Sequence, residues 1–126
     1  MSISKIAEGV WVAERDGGPV RITRHEMIDI AEDAVNTNKL RSRILLHAQD
    51  DPVHYMLIAS CKGSFNPMHS HEKKESMFII SGDMLIRFKD RPDLLLTRGD
   101  FLMLPGGTEH QPLPLSDCII LEIAEK

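Results

Sequence analysis

The sequence lacks the features that mark membrane and secreted proteins. No apolar run approaches the roughly 20 residues that a membrane helix needs, and the first residues have neither the apolar stretch nor the cleavage site of a secretory signal. The two cysteines, Cys61 and Cys118, lie far apart and do not have the spacing of a disulfide framework. We therefore expect a cytoplasmic protein with reduced thiols and no membrane partner.

The sequence also has fewer basic than acidic residues. The 126 residues include 15 Lys and Arg against 19 Asp and Glu, which gives a formal net charge of -4. Surfaces that bind nucleic acids are usually basic, so this charge argues against a nucleic-acid partner. An apolar content of 42% is too high for a disordered chain, and the length leaves room for one core. We expect a single globular domain.

One helix is indicated in the first third of the chain. Thr23-Arg24-His25-Glu26 fits the capping box, and apolar residues follow it at roughly helical spacing. Residues 3–13 alternate between apolar and polar types, which predicts a strand. We therefore expect residues 1–40 to contribute a strand and a helix that pack on a barrel formed by residues 41–126, within the same domain.

The rest of the chain is typical of an all-β protein. Short apolar or alternating runs recur about every ten residues, and turn residues such as Arg98-Gly99-Asp100 separate them. This spacing predicts a β-sandwich or barrel. The predicted strands are residues 43–47, 53–61, 75–81, 84–89, 94–97, 101–104 and 118–123.

Two histidines and a glutamate have a spacing that strand geometry explains. Side chains two residues apart in a strand share a face, so His69 and His71 project together, and Glu75 returns to that face at an even separation. The segment reads G-x5-H-x-H-x3-E-x6-G from Gly63 to Gly82, where a hairpin is predicted. Two imidazoles and one carboxylate are expected to converge.

A second segment supplies another histidine. It reads G-x5-P-x-G-x2-H from Gly99 to His110, and a histidine where a strand meets a loop can reach across a barrel to the first group. Imidazole and carboxylate ligands suit Fe, Zn, Mn or Ni, and no thiolate belongs to the group. Together the two segments make His69, His71, Glu75 and His110 candidate metal ligands.

These two segments resemble the two motifs of the cupin superfamily, including the glycines, the proline and the four ligand positions. The resemblance implies a single cupin-type double-stranded β-helix, which is a jelly-roll barrel, with the short N-terminal strand and the one helix added to it. It also implies that the four ligand positions hold one divalent transition metal. Dimers are common in the superfamily, so it also implies a homodimer.

A narrower resemblance covers residues 41–90. The segments Arg43-Ile44-Leu45-Leu46-His47 and Asp51-Pro52-Val53-His54-Tyr55, together with the first motif, look like the WbuC family of cupin fold metalloproteins. This resemblance implies a link to bacterial surface-polysaccharide pathways and hence to sugars.

Other side chains are candidates for contact with a small-molecule substrate. Arg43 and His47 share a strand face and suit an anionic substrate group, although a solvated strand edge also explains them. His54 and Tyr55 are candidate catalytic residues on opposite strand faces, so at most one is expected in the pocket. Met77 is expected to face the substrate, and core packing explains it equally well.

The predicted metal centre favours a small-molecule enzyme. A divalent ion held by three neutral imidazoles and one carboxylate keeps a net charge of about +1 and open positions, which favours a polar or anionic substrate. Two alternatives remain open: an Fe(II)-dependent dioxygenase, and a non-catalytic module that binds or senses small molecules through the metal. The fold does not decide between isomerase-like chemistry, dioxygenase-like chemistry and no catalysis.

Overall fold

The computed structural model describes residues 3–14, 16–36, 41–64 and 66–126, and within them it contains ten strands and one helix. The boundary predicted at residue 40 lies outside the described residues. In chain order the elements are β1 (Ile3–Ala7), β2 (Val10–Ala13), α1 (Arg24–Asn36), β3 (Arg41–Leu45), β4 (Val53–Ser60), β5 (Glu75–Ser81), β6 (Met84–Phe88), β7 (Leu94–Leu96), β8 (Phe101–Leu104), β9 (His110–Pro114) and β10 (Cys118–Glu125).

The strands form two sheets. A seven-stranded sheet has the order β1-β2-β3-β4-β10-β5-β8, and a three-stranded sheet has the order β7-β6-β9. The chain passes from the large sheet to the small one between β5 and β6 and between β8 and β9, and it passes back between β7 and β8 and between β9 and β10. The predicted all-β class and the jelly-roll barrel are thereby confirmed.

The N-terminal segment differs from its prediction in one respect. Residues 3–13 form a hairpin of β1 and β2 rather than one strand, because the chain turns at Gly9, whose φ is +72°. Strand β2 then pairs in parallel with β3, and α1 lies in the connection between them. A parallel pair needs such a crossover, which places the helix on one face of the sheet.

The helix begins where the sequence predicts. The backbone N–H of Glu26 donates to Thr23 Oγ1 (3.2 Å), and the backbone N–H of Thr23 donates to Glu26 Oε1 (3.1 Å), so the capping box is confirmed. The buried side chain of Ile30 packs beneath the helix against Ile44 and Leu57 of the large sheet. No helix among the described residues is long and apolar enough to cross a membrane.

A second apolar cluster fills the space between the two sheets. Its largest members are fully buried and come from β5 and β6: Ile79, Met84 and Ile86. Phe88, Leu96, Leu104 and Ile120 complete much of it. This cluster closes one half of the barrel and leaves the other half open for the candidate site.

The structure adds one strand to the prediction and contradicts the predicted hairpin. Strand β9 was not predicted, because Pro112 and Pro114 have no N–H to donate; the strand is tolerated at the edge of the small sheet, where it pairs with β6. The turn at Gly82 is not a hairpin, since β5 pairs with β10 and β8 while β6 pairs with β7 and β9. The turn instead joins the two sheets.

Candidate metal centre

Backbone hydrogen bonds hold the two motif segments against each other. His69 and His110 form an antiparallel bridge, in which each backbone N–H donates to the other residue's carbonyl oxygen at 2.9 and 2.8 Å. The N–H of Gly107 donates to the carbonyl oxygen of His71 at 2.7 Å. A Cβ on Gly106 would lie 2.2 Å from the carbonyl oxygen of Glu72, so this close approach requires glycine.

The three motif histidines form one cluster. One ring nitrogen from each of His69, His71 and His110 lies within 4.8 Å of the others. Metal bonds of about 2.0–2.2 Å place neighbouring ligand atoms roughly 3 to 3.5 Å apart, so small side-chain shifts would bring these nitrogens around one ion. The three histidines that the motif spacing identified therefore lie together in the structure.

Backbone carbonyls fix the orientation of two of these rings. Nδ1 of His69 lies 2.8 Å from the carbonyl oxygen of Pro67, and Nδ1 of His110 lies 2.8 Å from that of Thr108. A carbonyl oxygen only accepts hydrogen bonds, so each Nδ1 carries the proton and each Nε2 keeps a free lone pair. Burial lowers the pKa of His110, which favours the neutral ring that metal binding requires.

A carboxylate oxygen of Glu75 lies beside two of the three clustered histidines. Its side chain is 5% exposed, and Oε2 lies 3.0 Å from His71 Nε2 and 3.8 Å from His110 Nε2. Despite these distances, Oε2 has no hydrogen-bond partner among the described residues. A buried carboxylate oxygen without a partner is costly. A cation shared with the histidines would remove that cost, so these four residues fit a metal ion.

The cluster opens into a cavity of about 380 Å³. Its wall is largely apolar and includes Met77 and Met84, which belong to the apolar cluster of the closed half. The polar side chains on the wall, besides the four candidate ligands, are Arg41, Ser60, Asn66 and Glu122. The volume and the few polar groups suit a small polar molecule.

Glu122 is a second carboxyl group beside the cluster. Burial raises its pKa to about 8, and the hydrogen bond and charge of Glu75 act in the same direction. Arg41 opposes this rise with its positive charge, and its Nη2 lies 4.0 Å from Glu122 Oε2. Contacts therefore run from Arg41 through Glu122 and Glu75 to His71.

Four of the other five predicted site residues lie away from the cavity. Met77 lines the cavity, whereas Arg43 is exposed and does not lie on the cavity wall. His47 and His54 are also outside the wall and contact each other, with His47 Nε2 3.2 Å from His54 Nδ1. Tyr55 is exposed on the opposite strand face. Of the five candidates beyond the metal ligands, the structure brings only Met77 to the cavity.

Sequence reasoning missed two charged residues that the structure brings to the cavity, Arg41 and Glu122. The register of β3 on β4 pairs Arg41 with Ser60 and Arg43 with Ile58, and the Arg41 side chain is the one on the wall. A usable signal for Glu122 was present, since an acidic residue in the apolar run Cys118 to Ile123 indicates a buried polar group. No comparable signal distinguished Arg41 from Arg43.

The fold resembles solved structures of cupins. A cupin superfamily protein from Desulfitobacterium hafniense DCB-2 superposes with a TM-score of 0.62 and 24% identity, over 68% of this chain and 76% of that protein. An RmlC-like cupin from Shewanella frigidimarina NCIMB 400 gives a TM-score of 0.62 and 19% identity, over the same shares of the two chains. At these identities the likeness concerns the fold alone.

Sequence comparison gives a curated relative and a family. The chain is 31% identical over 58 residues to the uncharacterized protein YdbB of Bacillus subtilis (strain 168), an alignment that covers 46% of this chain and 51% of YdbB. The chain thus spans about half the length of this relative. Residues 22–97, more than half of the chain, match the family described as Domain of unknown function (DUF6016). This protein therefore belongs to the DUF6016 family, and its fold is that of the cupins.

Proposed function

We propose that this protein is a metal-dependent enzyme that acts on a small polar or anionic molecule. One divalent transition metal, Fe, Zn, Mn or Ni, would be held by His69, His71, Glu75 and His110. The observation that carries the proposal is the buried Oε2 of Glu75, which has no hydrogen-bond partner among the described residues and faces two histidine nitrogens.

The residues around the cluster support a catalytic role. A bound divalent metal acts as a Lewis acid on an oxygen-containing ligand and lowers the pKa of a bound water. His71 is 53% exposed, which leaves an open side from which a ligand can reach the cluster. Met77 and Met84 shield the inner side from water. Glu122 lies beside Glu75 and is the carboxyl group best placed to hold or move a proton on the bound molecule.

Metal content tests the proposal. The protein is purified without oxygen and the metal per chain is counted in the wild type, in His71→Ala and in His25→Ala. His71 is largely exposed, so its replacement should leave the fold intact, and His25 is an exposed histidine on α1 that serves as the matched control. We expect about one metal per chain in the wild type and in His25→Ala, and less than a tenth of that in His71→Ala.

Two results would refute the metal site. One is equal metal content in the wild type and in His71→Ala. The other is a wild type that stays empty after incubation with each of the four metals under argon. The identity of the bound metal also separates two reaction classes, because iron supports oxygen chemistry and zinc does not undergo redox chemistry.

Oxygenation is the second candidate function. It is supported by the largely apolar wall formed by Met56, Ile58 and Ile120, since dioxygen is apolar, and by a donor set of three imidazoles and one carboxylate, which suits Fe(II). Oxygen consumption by the Fe(II)-loaded protein, measured over a panel of sugars and keto acids, tests this candidate. Consumption by wild type but not by His71→Ala would support it, and none with any substrate would exclude it for that panel.

Further proposals concern the setting of the protein. The WbuC-like segments support a sugar-related substrate from a bacterial surface-polysaccharide pathway, and the composition supports a cytoplasmic location. We also propose a homodimer. Phe101 is 53% exposed on β8, an edge strand of the large sheet, and Met103 and Phe78 are exposed near it, so a second copy would cover an apolar surface. Measurement of the solution mass tests the dimer.

A further inference from the structure

One charged group on the cavity wall has no role in the metal site. Among the described residues that line the cavity, Arg41 is the one with a permanent positive charge. Its side chain is 44% exposed, and its ion pair with Glu122 is loose, at 4.0 Å. A guanidinium group has five N–H donors, so this pair leaves donors free for a ligand.

The charges around the cavity favour an anion. A divalent metal, Glu75, an ionised Glu122 and Arg41 sum to about +1, and a neutral Glu122 makes the sum about +2. A guanidinium group binds a carboxylate through two parallel hydrogen bonds, which gives it an orientation as well as a charge. A neutral polyol would leave the net positive charge of the cavity uncompensated.

The cavity is large enough for a small ligand. Its volume of about 380 Å³ lies near the lower end of the roughly 300–1,000 Å³ that is typical of small-molecule sites. Asn66 and Ser60 add two polar side chains to the wall. These dimensions accommodate an acid with a few hydroxyl or keto oxygens.

We propose that Arg41 anchors the carboxylate of a small hydroxy or keto acid whose other oxygens face the metal cluster. This inference rests on the proposed function and names its substrate class. It also assigns the anionic subsite to Arg41 rather than to Arg43, which lies two residues along the same strand and outside the cavity.

Calorimetric titration of metal-loaded protein tests the assignment with two matched pairs of probes. Gluconate is compared with sorbitol, and lactate with 1,2-propanediol, so each pair differs mainly in the carboxylate. The variants are Arg41→Gln and the control Arg43→Gln, and the metal content of every sample is measured first. Arg41 is not a metal ligand, so both variants should retain the wild-type metal content.

We expect the wild type to bind at least one of the two acids, and to bind it at least tenfold more tightly than its neutral counterpart. Arg41→Gln should lower the affinity for that acid at least tenfold, and Arg43→Gln should change it less than twofold. The assignment is overturned if neither acid binds, if acid and polyol bind equally, if Arg41→Gln binds the acid like the wild type, or if both variants lose affinity equally.

The same samples separate this inference from the proposed function. A wild type without metal refutes the proposed function through the metal content alone. The acids are then titrated into the metal-free protein, where a tenfold loss confined to Arg41→Gln would still support the anchor. Equal binding by the wild type and Arg41→Gln would overturn it.

Discussion

The two halves of the barrel are built from the same strands but differ in chemistry. On β5, Glu75 and Met77 face the open half, and Ile79, two residues further along the same face, is 0% exposed in the closed half. On β10, Glu122 lines the cavity, and Ile120 lines it as well but also belongs to the apolar cluster. The change from polar to apolar side chains therefore occurs within two residues of each strand.

The closed half therefore contributes mainly to stability, and the open half mainly to ligand binding. The closed half buries apolar surface, which is the main favourable contribution to folding. The open half buries Oε2 of Glu75 without a hydrogen-bond partner among the described residues, which costs stability unless a ligand compensates. Substitutions in the closed half should therefore destabilise the fold, whereas those in the open half should change what the protein binds.

The largest expected effect comes from a pair of substitutions on β5. Replacement of the fully buried Ile79 by Ala should lower the free energy of unfolding of the metal-free protein by about 3–4 kcal/mol, because it leaves a cavity in the cluster. Glu75→Gln should cost less than about 1 kcal/mol, since glutamine has nearly the same shape as glutamate and the substitution removes a buried charge. Urea denaturation measures both, and a larger loss in Glu75→Gln would reverse the comparison.

Two motif glycines differ in how closely other atoms approach them. Both have positive φ, but a Cβ on Gly82 would lie 2.3 Å from the carbonyl oxygen of Asp117, next to the buried Cys118, whereas a Cβ on Gly99 would meet nothing within 4 Å. Gly82→Ala should therefore cost about 2–3 kcal/mol, and Gly99→Ala about 1 kcal/mol. The expected difference fails if thermal unfolding shows equal shifts for the two variants.

The smallest effect is expected outside the barrel. Thr23→Ala removes the cap of α1 and should lower the free energy of unfolding by about 1 kcal/mol, because the N–H of Glu26 loses its acceptor. His25→Ala, at an exposed position in the same turn, should leave stability within about 0.5 kcal/mol. Equal losses in the two variants, measured by urea denaturation, would show that the capping box does not stabilise the helix.

Much of the fold could be predicted because local rules determine it. The predicted bounds of β5 and β8 agree with the structure, since both are short apolar runs between turn residues. The start of α1 was predicted from its capping box. The pairing of strands was not predictable, because alternation shows which residues share a face but not which strand is the neighbour. The turn at Gly82 therefore joins two sheets rather than two paired strands.

The candidate site was also predictable only in part, because some of its residues are close in the chain and others meet only through the order of the strands. His69, His71 and Glu75 are close in the chain, and their spacing was enough to group them. Arg41 and Glu122 are 81 residues apart, and they meet because β3, β4 and β10 are neighbours in the large sheet. That order depends on the pairing of β4 with both β3 and β10, and no local pattern in the sequence indicates that β10 is a neighbour of β4.

X-ray absorption spectroscopy of the metal-loaded protein tests the central claim most directly, because it counts the ligands of the metal in place. We predict one metal environment with nitrogen and oxygen neighbours at about 2.0–2.2 Å and outer-shell scattering from three imidazoles. The imidazole signal should fall to two in any metal retained by His71→Ala. A sulfur neighbour at about 2.3 Å, or no imidazole scattering, would place the metal elsewhere and contradict the assignment of the open half as a metal centre.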